Sequence, residues 1–130
     1  MFLDTSGLFC MHHADESRSD EAQTFFEVAG SKVTHNYILA ELIALCLARG
    51  LPQPKTLAFV KALLSHPEVE VIWISDGLNE DAMNLLDARS DKKYSLCDAA
   101  SFVVMKQHGL HEALTTDHHF EQEGFLRLLK

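Results

Sequence analysis

Apolar residues occur along this chain in two patterns, short continuous runs and longer segments with helical spacing. The clearest run, VEVIWI at 69–74, is β-branched and apolar apart from Glu70, and it predicts a strand. Shorter runs predict further strands at 2–3, 32–34, 113–115 and 125–129. Each run is followed by turn or helix-start residues, such as the Asp-Thr-Ser-Gly segment at 4–7.

Amphipathic segments lie between these runs and predict helices. In segment 17–29, Ala22, Phe25 and Phe26 share one helical face, and Gly30 is a typical stop. The same reasoning predicts helices over 36–49 with Asn36 as N-cap, over 54–65, 76–88 and 95–108, and a short helical turn after Asp117. Short strands separated by helices predict one α/β domain over 1–130, with a mainly parallel sheet covered on both faces.

Composition restricts the class of protein. The chain has 130 residues, of which 47% are hydrophobic and 23% charged, as expected of one globular domain. Its three cysteines are odd in number and widely spaced, which excludes a disulfide framework or zinc ribbon and favours a reducing compartment. Neither a signal peptide nor an apolar run long enough for a bilayer is present. We therefore expect a soluble, cytoplasmic protein without membrane contact.

The charge balance raises the question of a metal ion. Nineteen acidic residues against eleven lysines and arginines give a net charge of −8, which argues against a simple nucleic-acid-coating protein. Ligands of open parallel sheets bind outside the carboxyl ends of the strands. Four acidic residues stand near predicted strand ends or helix starts, namely Asp4, Glu41, Asp98 and Asp117. We expect these four side chains to converge at one edge of the sheet.

Each acidic residue also has a structural interpretation. Asp4 and Asp117 suit helix N-caps, and Ser95-x-x-Asp98 matches a capping box. Glu41 is harder to explain in this way, because apolar residues flank it at helical spacing (Tyr37, Ile38, Ala44 and Leu45). A carboxylate buried there requires a lysine, an arginine or a metal ion as partner, or protonation. If the four carboxylates meet, their all-oxygen ligand set selects hard ions such as Mg²⁺ or Mn²⁺.

Four motifs together resemble a known family. They are Met-Phe-Leu-Asp4-Thr-Ser, Thr34-x-Asn36-x₄-Glu41-Leu, Ser95-Leu-Cys-Asp98-Ala-Ala-Ser-Phe and Leu-Thr-Thr-Asp117-x-x-Phe120. In this order and spacing they resemble the PIN domain, especially its VapC-like branch, over essentially the whole chain. The resemblance implies a three-layer α/β/α, Rossmann-like fold with a central, mainly parallel sheet of four to five short strands.

The same resemblance implies a metal-dependent endoribonuclease that hydrolyses RNA phosphodiester bonds, as the toxin of a toxin–antitoxin pair. Asp4, Glu41, Asp98 and Asp117 would then be catalytic residues that bind one or two Mg²⁺ or Mn²⁺ ions. A small antitoxin and a second copy of the chain are the implied partners. Two alternatives remain: an RNA-processing nuclease without an antitoxin, and a PIN module that binds RNA or protein without cutting.

Further residues have supporting roles in this hypothesis. Thr5, Ser6, Ser95 and Thr116 would orient the neighbouring acids. The basic residues Arg89, Lys92 and Lys93, together with His119, would contact RNA, although a solvated loop is an equally good interpretation of the basic stretch. Some family members have a further acid two residues after the fourth one, where this chain has His119, so we expect a weaker second metal subsite.

Overall fold

The computed structural model describes all residues from Met1 to Lys130, and it contains five strands and seven helices. The strands are β1 (Phe2–Leu3), β2 (Lys32–His35), β3 (Val69–Ile72), β4 (Glu112–Leu114) and β5 (Leu126–Arg127). The helices are α1 (Thr5–His12), α2 (Ser19–Val28), α3 (Asn36–Ala48), α4 (Gln53–Ser65), α5 (Asp76–Ala88), α6 (Leu96–Gln107) and α7 (His119–Gln122). None of these helices is both long enough and apolar enough to cross a bilayer.

All five strands are parallel, in the order β3-β2-β1-β4-β5. Phe2 is in register with Val33 of β2 on one side and with Ala113 of β4 on the other. The chain moves outward from β1 to β3 and then crosses to β4, so right-handed connections place α1–α4 on one face and α5–α6 on the other. This three-layer α/β/α arrangement has its topological switch point between β1 and β4, where such folds bind ligands.

Helix α1 packs unusually close to β4, and Gly7 permits this contact. A Cβ atom at Gly7 would lie 2.0 Å from the carbonyl oxygen of Leu114, far inside van der Waals contact. Leu3 and Leu114, which are both fully buried, are paired in the sheet immediately beside this contact. The close approach brings the first turn of α1 against the carboxyl end of β4, on both sides of the switch point.

The structure confirms the predicted fold class and corrects several local details. Helix α5 has the predicted bounds, but the strand predicted over 69–74 ends at Ile72. Segment 4–7, for which the sequence predicts a turn or a helix start, begins helix α1 at Thr5. The N-cap of α3 is His35 and not Asn36. His35 Nδ1 accepts a hydrogen bond from the backbone N–H of Ile38 (3.3 Å), whereas Asn36 Oδ1 accepts one from the N–H of Ile74 (2.6 Å). Asn36 therefore ties the end of β3 to α3.

Candidate active site

Asp4 lies directly after β1, at the switch point, and is 5% exposed. It occupies the N-cap position of α1, but its carboxylate makes no capping hydrogen bond. Instead, Asp4 Oδ2 accepts hydrogen bonds from the hydroxyls of Thr115 (2.7 Å) and Ser6 (3.3 Å). The helix-cap interpretation of this side chain is therefore wrong, and its polar contacts reach across to the end of β4.

Hydroxyl groups connect Asp4 to the loop after β4. The Thr115 hydroxyl donates to Asp4 and accepts from the backbone N–H of Asp117 (2.9 Å). Ser6 Oγ lies 3.1 Å from Thr115 Oγ1 and accepts from the backbone N–H of Thr116 (2.9 Å). The hydroxyl of Thr5 is buried without a hydrogen-bond partner, so it does not orient the Asp4 carboxylate as predicted.

Thr115 is the residue that sequence reasoning missed. It is fully buried and links two of the acidic residues, although the prediction named the neighbouring Thr116. The available signal was the position of Thr115 at the end of a predicted strand, two residues before an acid. Only the register of β4 against β1 shows that its hydroxyl, and not that of Thr116, points at Asp4.

Asp98 forms the capping box that its spacing from Ser95 predicts, and its carboxylate also contacts a histidine. Its carboxylate accepts from the backbone N–H of Ser95 (3.1 Å), and Ser95 Oγ accepts from the backbone N–H of Asp98 (3.0 Å), which completes a capping box. The same oxygen, Oδ2, lies 3.3 Å from Nδ1 of His119. The cap therefore holds the carboxylate at the start of α6, facing the loop that carries Asp117.

His119 lies between two of the acidic residues. Its Nδ1 is 3.3 Å from Asp98 Oδ2 and 3.4 Å from Asp117 Oδ1, and its backbone N–H donates to Asp117 Oδ1 (2.9 Å). Donor atoms of Asp117, His118 and His119 all lie within 4.8 Å of one another, a spacing that suits a metal ion. The histidine thus belongs to the same group of side chains as the predicted acids.

Glu41 lies on α3. The expectation that it is buried among apolar residues is wrong. The residue is exposed to solvent, because Tyr37, Ala44 and Leu45 leave the outer side of this turn open. It forms none of the ion pairs in the structure. Its charge nevertheless contributes to raising the pKa of Asp4 and that of the Cys97 thiol.

We call Asp4, Glu41, Asp98 and Asp117 the acidic cluster. Burial raises the pKa of Asp4 from its ordinary 3.8 to about 7, the Thr115 hydroxyl opposes the rise, and the charges of Asp98 and Glu41 increase it. The pKa of the Cys97 thiol is also raised, first by burial and then by the charges of Glu41, Asp4 and Asp98. These shifts show that Asp4, Glu41 and Asp98 share one negative field.

The donor set of the acidic cluster fits a divalent metal ion. Its side chains offer carboxylate oxygens, with one imidazole nitrogen between Asp98 and Asp117. Neither Asp4 nor Glu41 pairs with a lysine or arginine, and the charges of Asp98 and Glu41 add to the effect of burial in raising the Asp4 pKa. A hard cation such as Mg²⁺ or Mn²⁺ would lower this repulsion and satisfy the oxygens.

The predicted basic residues differ in their surroundings. Arg89 Nε forms an ion pair with Glu123 Oε1 at 2.7 Å, so this guanidinium already has a carboxylate partner. Lys92 lies 3.7 Å from the exposed Asp91, and Lys93 is exposed without an ion pair. Because these two lysines precede Ser95 by only a few residues, they remain the better candidates for contact with a polyanion near α6.

Comparison with known proteins agrees with this geometry. The PIN domain family matches residues 1–126 of the chain. The 23S rRNA-specific endonuclease VapC20 of Mycobacterium tuberculosis, from strains CDC 1551 and H37Rv, is 30% identical over 129 residues, which cover 98% of this chain and 97% of the relative. The crystal structure of M. tuberculosis VapC20, described as a Sarcin-Ricin loop cleaving toxin, superimposes with a TM-score of 0.88 at 28% identity, covering 96% and 95% of the two chains. Fold, full-length match and the acids at the switch point lead to one conclusion: the chain belongs to the PIN domain family.

Proposed function

We propose that this protein is a metal-dependent endoribonuclease and the toxin of a toxin–antitoxin pair. The observation that carries the proposal is the acidic cluster at the β1/β4 switch point, where the pKa of Asp4 is about 7 and no lysine or arginine pairs with Asp4 or Glu41. A module that only binds RNA gains nothing from carboxylates that repel both one another and phosphate. A nuclease gains from these carboxylates, because they hold a divalent ion.

In this proposal Asp4, Glu41, Asp98 and Asp117 hold one or two Mg²⁺ or Mn²⁺ ions. When bound, such an ion supplies a water of lowered pKa and offsets the charge that develops on the phosphate. The hydroxyls of Thr115 and Ser6 hold the Asp4 carboxylate, and the capping box holds that of Asp98. The protein therefore presents two of these ligands, Asp4 and Asp98, in fixed orientations, which lowers the cost of organising the site.

The proposed substrate is a structured RNA. The full-length relatives are named as endonucleases specific for 23S rRNA, and the solved relative as cleaving the sarcin–ricin loop. We infer that this chain cuts a loop of ribosomal RNA, whose unpaired nucleotides can enter an open cleft. Lys92 and Lys93 would contact phosphates on the α6 side and position the strand without reading its bases.

Two protein partners are part of the proposal. An antitoxin segment that offers a basic side chain to the acidic cluster would find complementary charge there, since the protein carries a net charge of −8. Exposed large apolar residues, among them Val28, Leu47, Leu57, Leu64 and Trp73, provide area for association. A homodimer would bury part of this area.

Cleavage of RNA by the purified protein tests the enzymatic proposal. Ribosomal RNA and a mixed pool of structured RNA are incubated with Mn²⁺ or Mg²⁺, beside an EDTA control. Wild type should cut at defined positions, and Asp98→Asn should cut more than about 100-fold more slowly because it loses a ligand charge. Asp87→Asn is the matched control: it removes one exposed acid, near the end of α5, and should retain full activity.

Four outcomes distinguish the alternatives. Cutting within 23S rRNA supports the ribosomal substrate, whereas cutting confined to other RNAs supports an RNA-processing nuclease. Equal inactivity of wild type and Asp98→Asn across RNAs and metals, with unchanged RNA binding, would contradict the enzyme and favour the binding module. Cutting that persists in EDTA would contradict metal dependence.

A further inference from the structure

His119 is the one nitrogen donor placed between two members of the acidic cluster. Its Nδ1 lies 3.3 Å from Asp98 Oδ2, on α6, and 3.4 Å from Asp117 Oδ1, in the loop after β4. Two neighbouring ligands about 2.1 Å from an octahedral ion, at right angles, are about 3.0 Å apart. Each of the two measured distances exceeds this spacing by a few tenths of an ångström, so small movements would let the imidazole bind an ion together with either carboxylate.

The imidazole ring is held in this orientation. Tyr94 packs against it edge-on, with ring centroids 5.3 Å apart, and the Tyr94 hydroxyl is itself anchored on Glu123 Oε1 (3.1 Å). The backbone N–H of His119 donates to Asp117, so main chain and side chain both face the same carboxylate. Such support keeps a ligand atom in place before the ion arrives.

The carboxylates keep oxygens available for an ion. The oxygens nearest the imidazole, Asp98 Oδ2 and Asp117 Oδ1, also accept backbone hydrogen bonds from Ser95 and His119, whereas the second oxygen of each carboxylate accepts none from the protein. His118 differs from His119 in its exposure to solvent and in its contacts with the carboxylates. Its side chain is 65% exposed against 20%, and it approaches only Asp117, at 3.7 Å.

We propose that His119 is a nitrogen ligand of a divalent ion shared with Asp98 and Asp117, and that this ligand makes the site select Mn²⁺ over Mg²⁺. Mg²⁺ prefers oxygen ligands and retains water in place of nitrogen, whereas first-row transition ions accept imidazole. The inference rests on the proposed function only in taking the acidic cluster as a metal site. It adds a ligand and a selectivity that oxygen ligands alone would not provide.

Electron paramagnetic resonance of Mn²⁺ bound to the full chain tests the nitrogen ligand directly. The spin-echo spectrum of the wild-type complex should show modulation from a directly bound ¹⁴N nucleus. His119→Gln should lose this modulation, and the matched control His118→Gln should retain it. Loss in His118→Gln with retention in His119→Gln, or no ¹⁴N modulation in a wild-type protein that binds Mn²⁺, would overturn the proposal.

Competition between the two metals tests the selectivity. With free Mn²⁺ followed by its six-line signal, His119→Gln should weaken Mn²⁺ binding about 10- to 100-fold and Mg²⁺ binding much less. His119→Asp, which keeps a donor but replaces nitrogen by oxygen, should gain Mg²⁺ affinity relative to Mn²⁺. Equal losses of both metals in His119→Gln would overturn the selectivity.

The two proposals fail in different ways. The protein could cut RNA with Mn²⁺, lose this activity in Asp98→Asn, and yet show no nitrogen signal. This result would support the nuclease and contradict only the role of His119 as a ligand. A wild-type protein that binds no divalent ion would contradict both proposals. Circular dichroism of each variant shows whether it is folded before its metal binding is compared.

Discussion

At the residue scale, burial disfavours the charged form of the Asp4 carboxylate. Its pKa is about 7 in the folded chain against an ordinary 3.8, chiefly because burial removes it from water. Between pH 3.8 and pH 7, Asp4 therefore keeps a proton in the folded state that it has released in the unfolded state. Stability that is present below pH 3.8 is lost as the pH rises through 7, by about 4 kcal/mol at most.

Asp4→Asn removes this charge but keeps an oxygen that can accept the Thr115 hydrogen bond. In EDTA we expect equal stability of variant and wild type near pH 4, and a more stable variant at pH 8. The neutral, buried His35, whose pKa is lowered to about 3 by burial, is present in both proteins, so its own pH dependence cancels in the difference. Urea denaturation at several pH values gives this difference, and identical stabilities at pH 8 would contradict the assignment.

A metal ion should reverse this order of stability, so that the wild type becomes more stable than Asp4→Asn. Mn²⁺ that binds the folded wild type through Asp4 stabilises it in proportion to the logarithm of its concentration above the Kd. Asp4→Asn should respond weakly, because it has lost a ligand charge. The melting temperature of both proteins with and without Mn²⁺ therefore checks whether the charge that destabilises the metal-free chain is the charge that holds the ion.

At the element scale, the contact of α1 with β4 determines the geometry of the site. Ser6 on α1 and Thr115 after β4 meet only because Gly7 lets the helix approach the carbonyl of Leu114. Gly7→Ala places a methyl group 2.0 Å from that oxygen, so the helix must move away. We expect a loss of about 1–3 kcal/mol or more in the free energy of unfolding, and reduced metal affinity.

Gly77→Ala is the matched control for this prediction. Gly77 also lies in the first turn of a helix, α5, but a Cβ atom there would have no neighbour nearer than 3.9 Å. This change should be neutral or stabilise the protein by up to about 1 kcal/mol, since alanine is the better helix former. Chemical denaturation measures both variants, and an equally stable Gly7→Ala would show that α1 does not depend on this close approach.

At the scale of the whole molecule, the net charge of −8 leaves few cations for RNA. If Lys92 and Lys93 each neutralise one phosphate of a single strand, replacing both by alanine should reduce the slope of log affinity against log salt by about 1.4. Binding should weaken for all RNA sequences alike, because phosphate contacts do not read bases. Fluorescence anisotropy with labelled RNA over a range of salt concentrations gives the slope.

The control for this prediction is Lys55→Ala with Lys61→Ala, which removes two exposed lysines from α4. Its salt slope should equal that of wild type. A slope that is unchanged in the Lys92 and Lys93 variant would place both residues in a solvated loop outside the RNA interface. Arg89 is left intact in this comparison, because its ion pair with Glu123 gives it a structural role.

Local chemistry in the sequence was sufficient for most of the elements, although not for helix α1, and it was sufficient to name the candidate acids. The apolar spacing predicts α5 with the bounds it has, and the Ser95–Asp98 spacing predicts the capping box that forms. These features depend on residues within one or two turns of each other. The fold class followed for the same reason, because strands that alternate with helices form a parallel sheet with few possible topologies.

Only the tertiary structure decided which side chains meet. The exposure of Glu41 depends on how much of its turn the neighbouring elements leave uncovered, which helical spacing cannot show. The choice of Thr115 over Thr116 depends on strand register, and the position of His119 between Asp98 and Asp117 depends on how α6 packs beside the loop after β4. Contacts between residues far apart in the chain depend on packing of the whole domain, so the sequence by itself determined most of the elements and the candidate acids, and the packed fold determined which side chains lie together.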